Sequence, residues 1–133
     1  MTAGLRLNTQ RKTILVVEDN LDILALTRVF LEDAGYAVVT AGDGEEGLRV
    51  YIQHQSSIAL LLTDVTMPHM NGLDLADRVL QSDSQLPVLF MSGDEPTTHR
   101  SCGCLTKPFR PTELVGRVGQ ALNASDKQRE KPH

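Results

Sequence analysis

The stretch IALLLTDVTMPHMNG, residues 58–72, decides the reading of the fold. An unbroken run from Ile58 to Thr63 leads straight into Asp64 and then into a turn that ends at Asn71-Gly72. A strand that does not alternate between apolar and polar residues is one covered on both faces, as in a parallel sheet flanked by helices. The same pattern recurs on either side of it. TILVV (13–17) precedes Glu18 and Asp19, AVVT spans 37–40, PVLFM (87–91) precedes Ser92, and a weaker CGCLT (102–106) precedes Lys107.

Helical periodicities fill the intervals. Ile23, Leu26, Thr27, Phe30 and Ala34 recur at i, i+3, i+4, i+7 and i+11, with Gly35 as the stop. A second helix is expected from about Gly44 to His54. A third carries Leu73, Ala76, Val79 and Leu80 on one face. The last runs from about Pro111 to Ala124 with Leu114, Val115, Val118 and Leu122 inward, softened by Gly116 and Gly119. Alternation of this kind means β-α-β units with right-handed crossovers. The fold class is therefore α/β: a flavodoxin-like, doubly wound, five-stranded parallel sheet of order 2-1-3-4-5. Only 14 residues separate Ser92 from Lys107, and they include Gly93, Pro96 and Gly103. The fourth helix is thus expected to be short or irregular. One domain over 12–124, with flexible ends at 1–11 and 125–133, accounts for the chain.

Of the 133 residues, 41% are hydrophobic and 23% charged, enough to build a core. Thirteen Lys and Arg against 17 Asp and Glu give a net charge of −4. That balance disfavours direct nucleic-acid binding, which needs clustered positive charge. No apolar run approaches a membrane span, and MTAGLRLNTQRK lacks the apolar core of a secretory signal. Cys102 and Cys104, one residue apart, are awkwardly placed for a disulfide. The cytoplasm is the expected location. The four histidines form no ligand spacing, and Gly42-Asp43-Gly44 lacks the lysine of a phosphate-binding loop.

In an open α/β sheet, sites form at the carboxyl ends of the strands, at the point where strand order reverses. Here that rim collects Glu18, Asp19 and Asp64, with Ser92 and Lys107 at the ends of the fourth and fifth strands. Two carboxylates about 4 Å apart repel by roughly 4 kcal/mol at an effective dielectric of 20. Three such groups call for a divalent cation, and oxygen ligation suits Mg²⁺ or Mn²⁺. An ammonium and a hydroxyl beside them complete the parts that phosphoryl transfer requires, with a carboxylate as the acceptor.

VVEDN, LLTDVTMPHMNG, FMSG and LTKPF, in this order over about Lys12 to Ala124, resemble the receiver domain of two-component response regulators, similar to the chemotaxis regulator fold. The resemblance implies that Asp64 accepts a phosphoryl group from a histidine kinase or phosphotransfer protein and that a downstream protein target reads the result. It implies direct Mg²⁺ ligation by Asp19 and Asp64, ligation by Glu18 through water, and a backbone carbonyl from Thr66. Lys107 and Ser92 would contact the phosphoryl oxygens, and Lys107–Pro108 would be a cis peptide. Thr66 and Asp94 fall where the family tunes phosphoryl lifetime. The first helix would meet the kinase. The resemblance makes the chain no enzyme beyond its own phosphorylation and dephosphorylation.

Two departures stand out. Cys104 occupies the place of the family's switch aromatic, and the compressed FMSG to LTKPF interval is similar to receivers attached to hybrid sensor kinases. The polar tail after Ala124 leaves no room for an output domain within these residues, so signalling through a partner is expected; the oligomeric state stays open. Two other readings remain: a Mg²⁺-dependent phosphatase with an aspartate nucleophile, and a receiver-like binding module that is never phosphorylated. The phosphatase reading wants its nucleophile on the first strand and an acid at position 66.

Overall fold

The computed structural model describes residues 11–93 and 103–130, with side chains as far as Asp126. Strands β1 (Thr13–Val17), β2 (Ala37–Ala41), β3 (Ile58–Asp64), β4 (Val88–Ser92) and β5 (Cys104–Thr106) form one sheet of order β2-β1-β3-β4-β5. Every neighbouring pair is parallel. Helices α1 (Leu21–Asp33), α2 (Gly44–Gln53), α3 (Gly72–Ser82) and α4 (Pro111–Glu130) cover it. The expected strand order and fold class are those observed. The short or irregular helix expected between Ser92 and Lys107 falls on 94–102, outside the described residues, as do Asp94, His99 and Cys102.

The unalternating strands have the cause inferred from them, since each side of the sheet carries its own core. Leu15 and Val17 of β1 face Tyr51 of α2 and Leu75 of α3, whereas Ile14 and Val16 face Leu31 of α1 and Leu114 and Val118 of α4. Each such side chain, taken fully out of water, contributes about 1.5–3 kcal/mol. Helix starts are set by side-chain caps. Asn20 Oδ1 caps α1, Asn71 Oδ1 caps α3, and at α2 Asp43 Oδ1 accepts the Glu46 N–H while Glu46 Oε1 accepts the N–H of Gly42, one residue before the cap. Helix α1 ends at Gly35, whose φ of 104° is a conformation only glycine adopts freely.

Two expectations need correction. In α1 the expected Thr27 is buried and Phe30 packs on the core, but Leu31 is buried with them, while Leu26 is 55% exposed and Ala34 is exposed. The helix is apolar on nearly all sides, with Leu21, Ile23, Leu24, Leu26, Val29, Phe30 and Leu31, so periodicity alone offers two competing stripes. Packing on the sheet selects the one through Thr27 and Leu31. In α3 the expected face holds: Ala76 and Val79 are buried, Leu73 and Leu80 pack against the same core, and Leu75 joins them. Helix α4 does not stop at Ala124 but continues to Glu130. Its extension is pinned by Lys12 Nζ, which donates to both carboxylate oxygens of Asp126 at 2.9 and 2.8 Å. Residues 125–130 are therefore helix rather than a loose end.

Candidate functional site

The rim at the carboxyl ends of β1, β3 and β5 is built by register. β1 and β3 pair Val17 with Thr63, so the residues that follow, Glu18 and Asp64, emerge side by side. β4 and β5 pair Ser92 with Thr106, and the Lys107 N–H donates to the Ser92 carbonyl at 2.7 Å. That bond carries Lys107 past the end of its three-residue strand and over the acids. The Lys107–Pro108 peptide is cis.

Glu18 is 1% exposed, Asp64 7% and Ser92 8%, whereas Asp19 lies open to solvent. Ligand oxygens of Glu18, Asp19 and Asp64 lie within 4.8 Å of one another. Lys107 Nζ sits 2.7 Å from Glu18 Oε1 and 3.3 Å from Asp64 Oδ2. Glu18 Oε2 accepts the Asn20 N–H at 3.1 Å. Its Oε1 meets the ammonium as a charge pair but has no well-angled hydrogen bond. Burial pushes the Glu18 carboxyl above its ordinary value, and the Asp64 charge adds to this. The nearby Lys107 ammonium and the Asn20 N–H offset part of the rise. Burial acts downward on Lys107, but its pairing with Glu18 and Asp64 outweighs it and holds the ammonium above the ordinary value.

These donors fit a hard divalent cation. All are carboxylate oxygens, they converge from three chain positions, and the Lys107 ammonium reaches two of the three acids. Of the six residues singled out by sequence, Glu18, Asp19, Asp64 and Lys107 are brought together, and Ser92 stands at the end of the neighbouring strand. Thr66 is exposed in the loop after β3, two residues beyond Asp64. His69, also in that loop, has φ of 71° and places Nδ1 3.4 Å from Asp43 Oδ2, so it braces the loop against the start of α2. The Glu46 N–H, and then His69, hold Asp43 below its ordinary value.

Sequence reasoning missed two residues here. Asn20 holds Glu18 through its N–H, for which the EDN triplet gave a signal in the form of a helix-capping residue directly after the acids. Gly72 is the other: a Cβ there would lie 2.0 Å from the Asp64 carbonyl oxygen, so the chain must have glycine where α3 starts against the end of β3. On β5, Cys104 is half-buried with a free thiol, and Arg117 Nη1 of α4 donates to its carbonyl at 3.3 Å.

Comparison with known proteins agrees with this geometry. The response regulator receiver domain family matches residues 14–119. The DNA-binding response regulator MtrA of Mycobacterium tuberculosis is 32% identical over 127 residues, covering 90% of this chain and 54% of MtrA. The chain thus spans about half the length of such curated relatives. Among solved structures, the receiver domain of the hybrid histidine kinase CckA is 34% identical with a TM-score of 0.74, covering 83% of this chain and 98% of that one. A response regulator receiver domain protein from Clostridium thermocellum is 26% identical with a TM-score of 0.79, covering 88% and 98%. Family match, strand order and acidic rim agree, and the chain belongs to the response regulator receiver domain family.

Proposed function

We propose that Asp64 is the phosphoacceptor of this receiver domain and that it takes its phosphoryl group from the phosphohistidine of a kinase or phosphotransfer protein. The observation that carries the reading is the buried Asp64 carboxylate placed between two other acids and a lysine on one rim. An Asp64 oxygen forms the new bond to phosphorus as the phosphorus–nitrogen bond breaks. The departing imidazole keeps the electron pair and takes up a proton. Glu18, Asp19 and Asp64, with the Thr66 carbonyl, are the residues to hold Mg²⁺ or Mn²⁺, which when bound neutralises charge on the phosphoryl oxygens. Lys107 already spans Asp64 and Glu18 and supplies the second positive charge; Ser92 supplies a neutral donor. The chain promotes only its own phosphorylation and dephosphorylation.

The proposed kinase contact is α1. A groove of about 340 Å³ between α1 and the segment after β5 is lined by Ile23, Leu26, Phe30, Pro108 and Phe109, with Lys107 at its edge. Exposed Leu21 and Leu26 extend the apolar surface beside it. Output then passes to a protein target in the cytoplasm. Among the described residues no helix is long and apolar enough to cross a membrane.

Intact-mass spectrometry after incubation with acetyl phosphate tests the assignment. A single phosphoryl adduct is expected with Mg²⁺, none with excess chelator, and none in Asp64→Asn. Retained uptake in Asp64→Asn overturns the choice of acceptor.

A further inference from the structure

Asn20 is bonded in two directions. Its side-chain Oδ1 accepts the N–H groups of Asp22 and Ile23 at 3.0 and 3.1 Å, and its carbonyl accepts the Leu24 N–H at 2.9 Å, so it closes the first turn of α1. Its own N–H points the other way and donates to Glu18 Oε2 at 3.1 Å. Glu18 is almost wholly buried, and its second oxygen is held by Lys107. The orientation of this carboxylate is therefore set by one ammonium on a flexible stem and one backbone N–H. A peptide N–H points where its own residue's backbone directs it, and at Asn20 the side-chain cap fixes that backbone at φ −83° and ψ 113°.

The geometry points to Asn20 as a positioning residue of the metal-binding acids: its cap holds the N–H that orients Glu18, and with Glu18 the cation site. The inference rests on the reading of the rim as a Mg²⁺ site. It differs from a plain capping role, which would stabilise α1 and leave the acids alone. Loss of a group that orients a metal-binding side chain from behind typically costs about 10–100-fold in metal affinity.

Calorimetric Mg²⁺ titration of the native chain, Asn20→Ala, Asn20→Ser and Gly35→Ala separates the two roles, with thermal unfolding without Mg²⁺ measured in parallel. Gly35→Ala is the stability control, because it strains the opposite end of the same helix at a positive φ and touches nothing within 4 Å. Asn20→Ala, which loosens the N–H without removing it, is expected to weaken Mg²⁺ binding roughly tenfold, the low end for groups that orient metal ligands. Asn20→Ser, which keeps a capping oxygen, should stay within about twofold of native. Gly35→Ala should lower the unfolding temperature yet bind Mg²⁺ as the native chain does. Native-like Mg²⁺ affinity in Asn20→Ala overturns the inference, and so does an equal weakening in Gly35→Ala. A native chain with no measurable Mg²⁺ binding overturns the site reading and this inference together.

Discussion

Replacing Lys107 by methionine keeps much of the stem and removes the charge that holds two buried acids. At an effective dielectric of 20, an ammonium 2.7 Å from Glu18 and 3.3 Å from Asp64 gains about 6 and about 5 kcal/mol. Most of this is consumed by taking the ammonium and carboxylates out of water. Breaking a buried pair costs about 3–5 kcal/mol, and Lys107 keeps some exposure, so about 2–3 kcal/mol of stability should be lost at pH 7. The loss should depend on pH. Glu18 already has a raised pKa, so the folded state holds its proton at a pH where the unfolded chain has released it, and this group's contribution to stability falls as pH rises. Without Lys107 the rise is larger. The deficit of Lys107→Met relative to native should therefore be greatest at pH 8 and shrink toward pH 5.

The assay is urea unfolding followed by helical circular dichroism, since the chain has no tryptophan. Mg²⁺ supplies a second test, because added positive charge should stabilise Lys107→Met more than native. Curves for native and variant that run parallel from pH 5 to 8 and differ by less than about 0.5 kcal/mol would refute the reasoning. They would show the three charges to be screened by water despite their burial.

Two glycines give predictions of opposite sign. Gly72→Ala drives a Cβ against the Asp64 carbonyl and should cost about 2–3 kcal/mol in urea unfolding, with slower phosphoryl uptake because the end of β3 must shift. Gly116→Ala, in an exposed part of α4 with nothing within 4 Å, should instead stabilise by about 0.5–1 kcal/mol and leave uptake unchanged.

The rim was legible because a strand end is a strong sequence signal. An apolar run that stops at Glu18-Asp19, Asp64, Ser92 or Lys107 fixes both where the strand ends and which side chain stands there. Parallel pairing then aligns those ends without further information. What failed to show were contacts made by the backbone. No residue pattern announces that Gly72 must pass within a carbonyl's reach of Asp64, and the EDN triplet marks Asn20 as a helix cap without showing that its N–H turns back to Glu18. Both depend on the exit angle of a helix from a loop, a property of the assembled sheet.

The misassigned face of α1 has another origin, and it bears on function. A helix that only covers a sheet needs one apolar stripe, and the periodicity test assumes that there is one. In α1 the stripe through Thr27 and Leu31 meets the sheet, while Leu21, Leu26 and Val29 remain more than half exposed. The stripe chosen from periodicity ran through Leu26 because that side is as apolar as the buried one. Leu26, the exposed apolar residue of the expected stripe, lines the groove beside Lys107 with Ile23 and Phe30, so it belongs to the surface proposed to meet a partner. Core packing cannot account for apolar residues on the solvent side of a helix, whereas a docking surface can. The exposed Leu26 and the proposed kinase contact thus have one physical source: α1 carries apolar side chains on two sides, one packed on its own sheet and the other lining the groove.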